Sequence, residues 1–248
     1  NDGKGVYGPT LKFILDQFSP PPMAGSSVPV TVSNDRKTLY VAKFNDGKAT
    51  GDLEAWSLSA AYVPTSIKWG SAAKLDARSS LASTRNALTY SEGRGVKMEW
   101  DRLGDNEKYD FLSGRSEESQ GQARLKFLLG DRSKEGSEFH QRSSVLGPIA
   151  RSAPVYVGAP NQAWLTSVGG SAYANFLKKA AKRKAMVYVG SNGGALHGFD
   201  AVSGEETLAY YPGALYRTGH GGYHDLALAG FTHKTKYVDG VPSVSDVK

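Results

Sequence analysis

Residues 186–204 read MVYVGSNGGALHGFDAVSG, and residues 38–60 read TLYVAKFNDGKATGDLEAWSLSA. Both segments join a short apolar strand, a Gly-rich turn and a second strand of the form L-x-[AG]-[WF] that runs into a polar turn. Side chains at Val187, Tyr188 and Val189 alternate between two sheet faces, and Leu196, His197, Gly198 and Phe199 repeat that alternation. Gly190, Gly193 and Gly194, around Asn192, are expected to give the turn its positive φ and close backbone approach. Asp200 is placed to accept N–H groups of the following turn, and Gly204 suits its left-handed position. The opening strand returns as PVYVGAP at 154–160, ending near Gly158.

A lone hairpin is marginal in water, so repeated hairpins must cover one another's faces, as stacked sheets around an axis do. The expectation is an all-β fold of the β-propeller kind with an incomplete ring. At about 40–50 residues per blade, the chain would hold roughly four or five blades. Residues 1–37 are assigned to an N-terminal strand and linker region, in which SPPP at 19–22 forbids regular pairing. Residues 38–248 are assigned to the propeller domain, with VPSVSDVK at 241–248 opening another strand after the Asp239-Gly240 turn and the ring continuing past Lys248. Residues 73–90, 120–135 and 171–185 carry helix-compatible apolar spacing and are assigned as insertions. In the last of these, Tyr173, Phe176, Leu177 and Ala180 share a face behind Ser171 as N-cap.

Composition agrees with many short strands: 29 glycines and 13 tyrosines, with 40% hydrophobic and 22% charged residues, describe a packed domain rich in turns. The net charge of +6 comes from 30 basic residues scattered among 24 acidic ones, which argues against nucleic acid as a partner. The one basic cluster, Lys178, Lys179, Lys182, Arg183 and Lys184, is assigned to a solvated helical face. Absence of cysteine removes disulfides, thiolate metal sites and cysteine nucleophiles. No apolar run is long enough for a transmembrane segment. A first residue Asn1, without Met or signal peptide, fits a trimmed exported precursor or a piece of a longer chain.

Local signatures of chemistry are few. Trp56, Phe199 and the strand tyrosines are assigned to the core ahead of a stacking platform. The histidines at 140, 197, 220, 224 and 233 lack metal-ligand spacing, and Asp225 beside His224 joins them only through the fold. The acidic loop with Asn45, Asp46, Gly47 and Asp52 offers hard oxygens to calcium through Asp46 and Asp52, but Asn-Asp-Gly is also a standard hairpin turn. Glu205 and Glu206, adjacent on a strand, point to opposite faces. No nucleophile elbow or phosphate loop is present, so no catalytic residue is assigned.

Three runs in the second half, GDRSKEGSEFHQRSSVLGPIARSAPVYVGAP (130–160), MVYVGSNGGALHGFDAVSGEETLAYYP (186–212) and HKTKYVDGVPSVSD (233–246), resemble the PilC/PilY family of type IV pilus tip proteins in order and spacing. The matching positions include Glu135, Arg142, Gly158, Asn192, Gly194, Asp200, Gly204, Glu206, Asp239 and Gly240. The first half is similar only through GDLEAWSL and the segment near Arg85. Pro148 and Gly193 replace family carboxylates, and the family's acidic calcium loop lies outside this segment. The resemblance implies a propeller shaped like those of quinoproteins, at the pilus tip, outer membrane or cell surface. It also implies roles in pilus assembly and adhesion, with minor pilins, the pilus tip complex and a host or abiotic surface ligand as partners. A quinoprotein dehydrogenase and a generic propeller scaffold are the competing readings, because the hairpin pattern occurs in those propellers too.

Overall fold

A computed structural model describes residues 29–45, 49–160, 166–231 and 236–245. Strands dominate and form two sheets. The first is an antiparallel meander of β1 (Val30–Val32), β2 (Thr38–Asn45), β3 (Thr50–Leu58) and β4 (Pro64–Gly70) in sequence order. The second contains another antiparallel meander, β7 (Val155–Val157), β8 (Met186–Gly190), β9 (Leu196–Asp200) and β10 (Glu206–Tyr211). Its β10 edge is extended by β5 (Ala87–Ser91) and β6 (Arg94–Lys97), with β5 parallel to β10 and antiparallel to β6.

The repeated hairpin is thus β2–β3 in one meander and β8–β9 in the other. PVYVGAP supplies β7, which pairs with β8 inside the same meander and opens no further sheet. Two meanders therefore replace the four or five blades expected among the described residues. Helices and irregular loops occupy much of the length that blade arithmetic had assigned to strands.

Alternation explains how the sheets pack. Tyr40, Ala42, Leu53, Ala55 and Trp69 face Val187, Val189, Phe199 and Ala201 in one core, while Leu39 and Val41 point the other way, with Trp56 and Leu58 packed against them. Tyr40 of β2 stacks on Tyr156 of β7 with ring centroids 5.8 Å apart, and its hydroxyl donates to the Ala201 carbonyl at 3.0 Å.

The described helices are α1 (Ser71–Ala77), α2 (Leu81–Thr84), α3 (Asp105–Leu112), α4 (Glu118–Leu129) and α5 (Thr166–Ala180). Of these, α1 packs against β3 of the first sheet, and α3 and α4 cover the rest of the second. Phe111 of α3, Leu125 and Leu129 of α4, and Trp100 pack with Ala87, Ala209 and Tyr211 in a second core. The expected helix at 73–90 is two short helices followed by β5, where Ala87 and Thr89 turn inward at strand spacing. Residues 241–245 form no strand, in contrast to the expected one. SPPP at 19–22, Asp46 and His233 lie outside the described residues.

Gly204 meets its expectation closely. It has φ +75°, and an added Cβ would lie 2.5 Å from the Trp69 ring. Gly204→Ala combines left-handed strain with overpacking and should cost about 1–3 kcal/mol, read as a lowered thermal midpoint with unchanged far-UV circular dichroism below it. Of the turn glycines at 190, 193 and 194, only Gly194 has positive φ, at +95°. At Gly190 the need is space, since a Cβ would stand 2.5 Å from the Val238 carbonyl oxygen.

Candidate functional site

The second sheet bends its own alternation at one point. Glu206 pairs with Phe199 and Leu208 with Gly198, so a bulge at Thr207 intervenes. Strict alternation would put Glu206 on the face of Leu208 and Tyr210. The extra residue turns it inward beside Ala209 and Tyr211, between the two cores.

There the carboxylate meets Arg85, which enters from the end of α2. Arg85 Nε and Nη2 donate to Glu206 Oε2 and Oε1 at 2.7 and 2.8 Å, and both side chains are at most 2% exposed. Arg85 Nη1 donates to the Tyr211 hydroxyl at 3.0 Å, which passes the bond on to the Leu128 carbonyl at 3.1 Å. Across the carboxylate, His197 Nδ1 donates to Glu206 Oε1 at 2.7 Å, and the Ser191 hydroxyl donates to His197 Nε2 at 2.8 Å. Burial pulls the His197 imidazole below its ordinary pKa and keeps it neutral, and the bond to the Glu206 carboxylate places its one proton on Nδ1. Burial alone would raise the Glu206 carboxyl, but the Arg85 charge and the His197 bond outweigh it and hold the group at about 2.

The order serine, imidazole, carboxylate matches the polarity of a hydrolytic triad. Access does not. Ser191 has no exposed surface, and the cavity beside it, about 30 Å³, has room for about one water and no substrate. Arg85 also neutralises the carboxylate. The relay therefore works as a polar pin joining α2, β9, β10 and the 191–195 turn.

The sequence runs that carry the resemblance converge above this pin. Asn192 N donates to the Pro148 carbonyl at 2.8 Å, its Oδ1 accepts Tyr237 N at 3.0 Å, and its Nδ2 donates to Asp239 Oδ1 at 3.3 Å. Asp239 Oδ1 also accepts Arg151 N at 3.1 Å, and Ser152 Oγ accepts Gly190 N at 2.8 Å. Gly147 and Gly193 touch backbone to backbone, so a Cβ on Gly147 would sit within 2.5 Å of Gly193 Cα. Arg142, also from the first run, donates to Glu135 Oε1 at 2.7 Å and to the Phe127 and Asp131 carbonyls at 3.0 Å.

Asp200 Oδ1 accepts Val202 N and Ser203 N at 2.8 Å, as expected, and its other oxygen pairs with Lys184 at 2.7 Å. Gly158, buried after β7, gives its carbonyl to Arg183 Nε at 2.8 Å, whereas Gly240 is exposed. Asp52 Oδ1 accepts Ala72 N at 2.9 Å and the Ser71 hydroxyl at 3.0 Å, binding the first turn of α1. No group of three metal-ligating side chains is assembled among the described residues.

His224 is held by Asp110 of α3, a residue without any local signature in the sequence. Asp110, with no exposure, accepts Arg217 N, Tyr223 N and His224 N at 2.9–3.0 Å and His224 Nδ1 at 2.5 Å. His224 Nε2 lies 3.2 Å from Asp225 Oδ1. His220 is fully exposed, and His140 sits half-buried between Phe127 and Phe231.

A mostly β chain, built of two facing meanders and interlocked by these motif turns, defines the class. The comparisons with known proteins name the family. A protein called type IV pilus biogenesis factor PilY1, from Pseudomonas aeruginosa strain PAK, is 33% identical over 246 residues, covering 91% of this chain and 20% of that protein. A protein called type IV pilus biogenesis factor PilY1 homolog, from Xylella fastidiosa strain Temecula1, is 46% identical over 96 residues, 36% of this chain and 8% of that protein. This chain belongs to the PilC/PilY family. It spans about a fifth of the length of the Pseudomonas relatives. No family model and no solved structure matches it.

Proposed function

We propose that this chain is part of a β-propeller binding module in a type IV pilus biogenesis protein, exported to the cell surface and acting in pilus assembly and adhesion. The observation that carries this reading is the pair of four-stranded meanders stacked face to face, in a chain about a third identical to proteins named for pilus biogenesis. Consecutive meanders covering each other's faces are the unit from which propellers are built. The inferred partners are minor pilins, the pilus tip complex and a surface ligand, held by loop faces such as the 147–152, 191–194 and 237–239 cluster. The work is binding, not catalysis, which accords with the enclosed Ser191.

The test is an in-frame deletion of the segment from the native gene, followed by counts of surface pili, twitching zones and attached cells. Loss of piliation or twitching is expected. Normal pili, motility and attachment together would overturn the proposal.

A further inference from the structure

Helix α5 packs less closely on the other described elements than the remaining helices do. It is broken at Gly170 (φ 55°, ψ −157°), so its main body is the ten-residue stretch from Ser171 to Ala180. Tyr173, Phe176, Leu177 and Ala180 are its half-buried positions and lie on one side at helical spacing. Lys178 and Lys179 leave from the opposite side, and Lys182 follows in the next turn; all three are exposed.

The charges around these lysines are unusually one-sided. No aspartate or glutamate occurs between Glu138 and Asp200, the stretch that contains α5. Of the five cations at 178–184, Lys184 pairs with Asp200 and Arg183 is tied to the Gly158 carbonyl. Lys178, Lys179 and Lys182 make no ion pair with any described residue. A solvated face needs no such exclusion of acid, whereas a face that meets negative charge gains from it.

We propose that this lysine ridge docks the protein on an anionic lipid surface. Shape separates that occupant from an acidic peptide. The clefts around α2, α4 and the buried relay are lined by other elements, and α5 contributes to none of these. A peptide needs a groove, while a layer of headgroups accepts a ridge. Residue type points the same way: lysine acts as a compact point charge suited to diffuse negative charge, where bidentate recognition of single carboxylates or phosphates favours arginine. The half-buried apolar side anchors the helix to its own protein, so contact is electrostatic and shallow.

The experiment uses the protein at its full natural length and sedimentation with vesicles of phosphatidylcholine, with or without 30% phosphatidylglycerol, a composition chosen as roughly that of a strongly anionic leaflet. Binding to the anionic vesicles alone, lost at high salt, is expected. Lys178→Gln/Lys179→Gln/Lys182→Gln should weaken it about a hundredfold, three surface lysines each contributing severalfold. A control, Arg94→Gln/Lys97→Gln/Arg102→Gln, removes the same net charge from exposed positions elsewhere and should keep most of the binding. Circular dichroism checks that both variants fold. Equal weakening by both variants, binding to neutral vesicles, or no vesicle binding while an immobilised poly-glutamate peptide is bound would each overturn the proposal.

Discussion

Arg85→Ala is expected to destabilise the purified chain by about 3–5 kcal/mol, seen as a large drop in the urea midpoint, because it strands Glu206 as an unpaired buried charge. Glu206→Ala should cost a similar amount by stranding the guanidinium. The double variant Arg85→Met/Glu206→Leu should recover much of either loss, since apolar side chains of similar volume need no solvation. If the double variant were as unstable as the two single losses added together, the pair would not be acting as a unit.

Acid should reach the same network. Glu206 is held at about 2 in the fold, against an ordinary value near 4.5, so its ionised form stabilises the protein fully above that ordinary value. That contribution is lost as pH falls from about 4.5 towards 2. His197 is depressed below 6.5 by burial, so protonation favours the unfolded chain once pH drops under that value. Both effects have one sign. The urea midpoint should fall from near-neutral pH downward and fall more steeply below pH 4.5, and Glu206→Gln should flatten the steep part.

Asp110→Ala is the second large effect. Its carboxylate takes three backbone N–H groups and the His224 ring with no access to water, so the substitution orphans several buried donors at once. A loss of about 3–5 kcal/mol is expected, with the 217–225 segment becoming the first to exchange its amide hydrogens. Asp110→Asn keeps acceptor capacity and should lose less. Equal protection of 217–225 in Asp110→Ala and the unchanged protein would show that other contacts hold this loop.

The hairpins were legible because their pattern is local. Strand alternation and the Asp200–Gly204 turn chemistry need only neighbours in sequence, and β8–β9 and β2–β3 formed where that pattern placed them. The Tyr173, Phe176, Leu177 and Ala180 face was legible for the same reason. The relay was not. Glu205 and Glu206 read as adjacent carboxylates on opposite faces, and they are, with Glu205 exposed and Glu206 buried. What hid the role of Glu206 was the bulge at Thr207 and a partner 121 residues away. Asp110 was invisible because nothing near it in sequence marks a carboxylate that serves a loop 107–114 positions downstream. Sheet count failed because blade arithmetic divides by an average length, and α3, α4 and the 130–154 loops took up the difference.

The parallel union of β10 with β5 predicts an order of events in folding. Ala209 must find Ala87, so the β5–β6 hairpin would wait with one open edge until β10 has been made. Contacts at such sequence separation close slowly, because loop entropy is lost before any pairing energy is gained. A nascent chain would therefore commit its first meander quickly and the second only after Tyr211 has emerged, leaving a window in which a chaperone that shields strand edges has most to do.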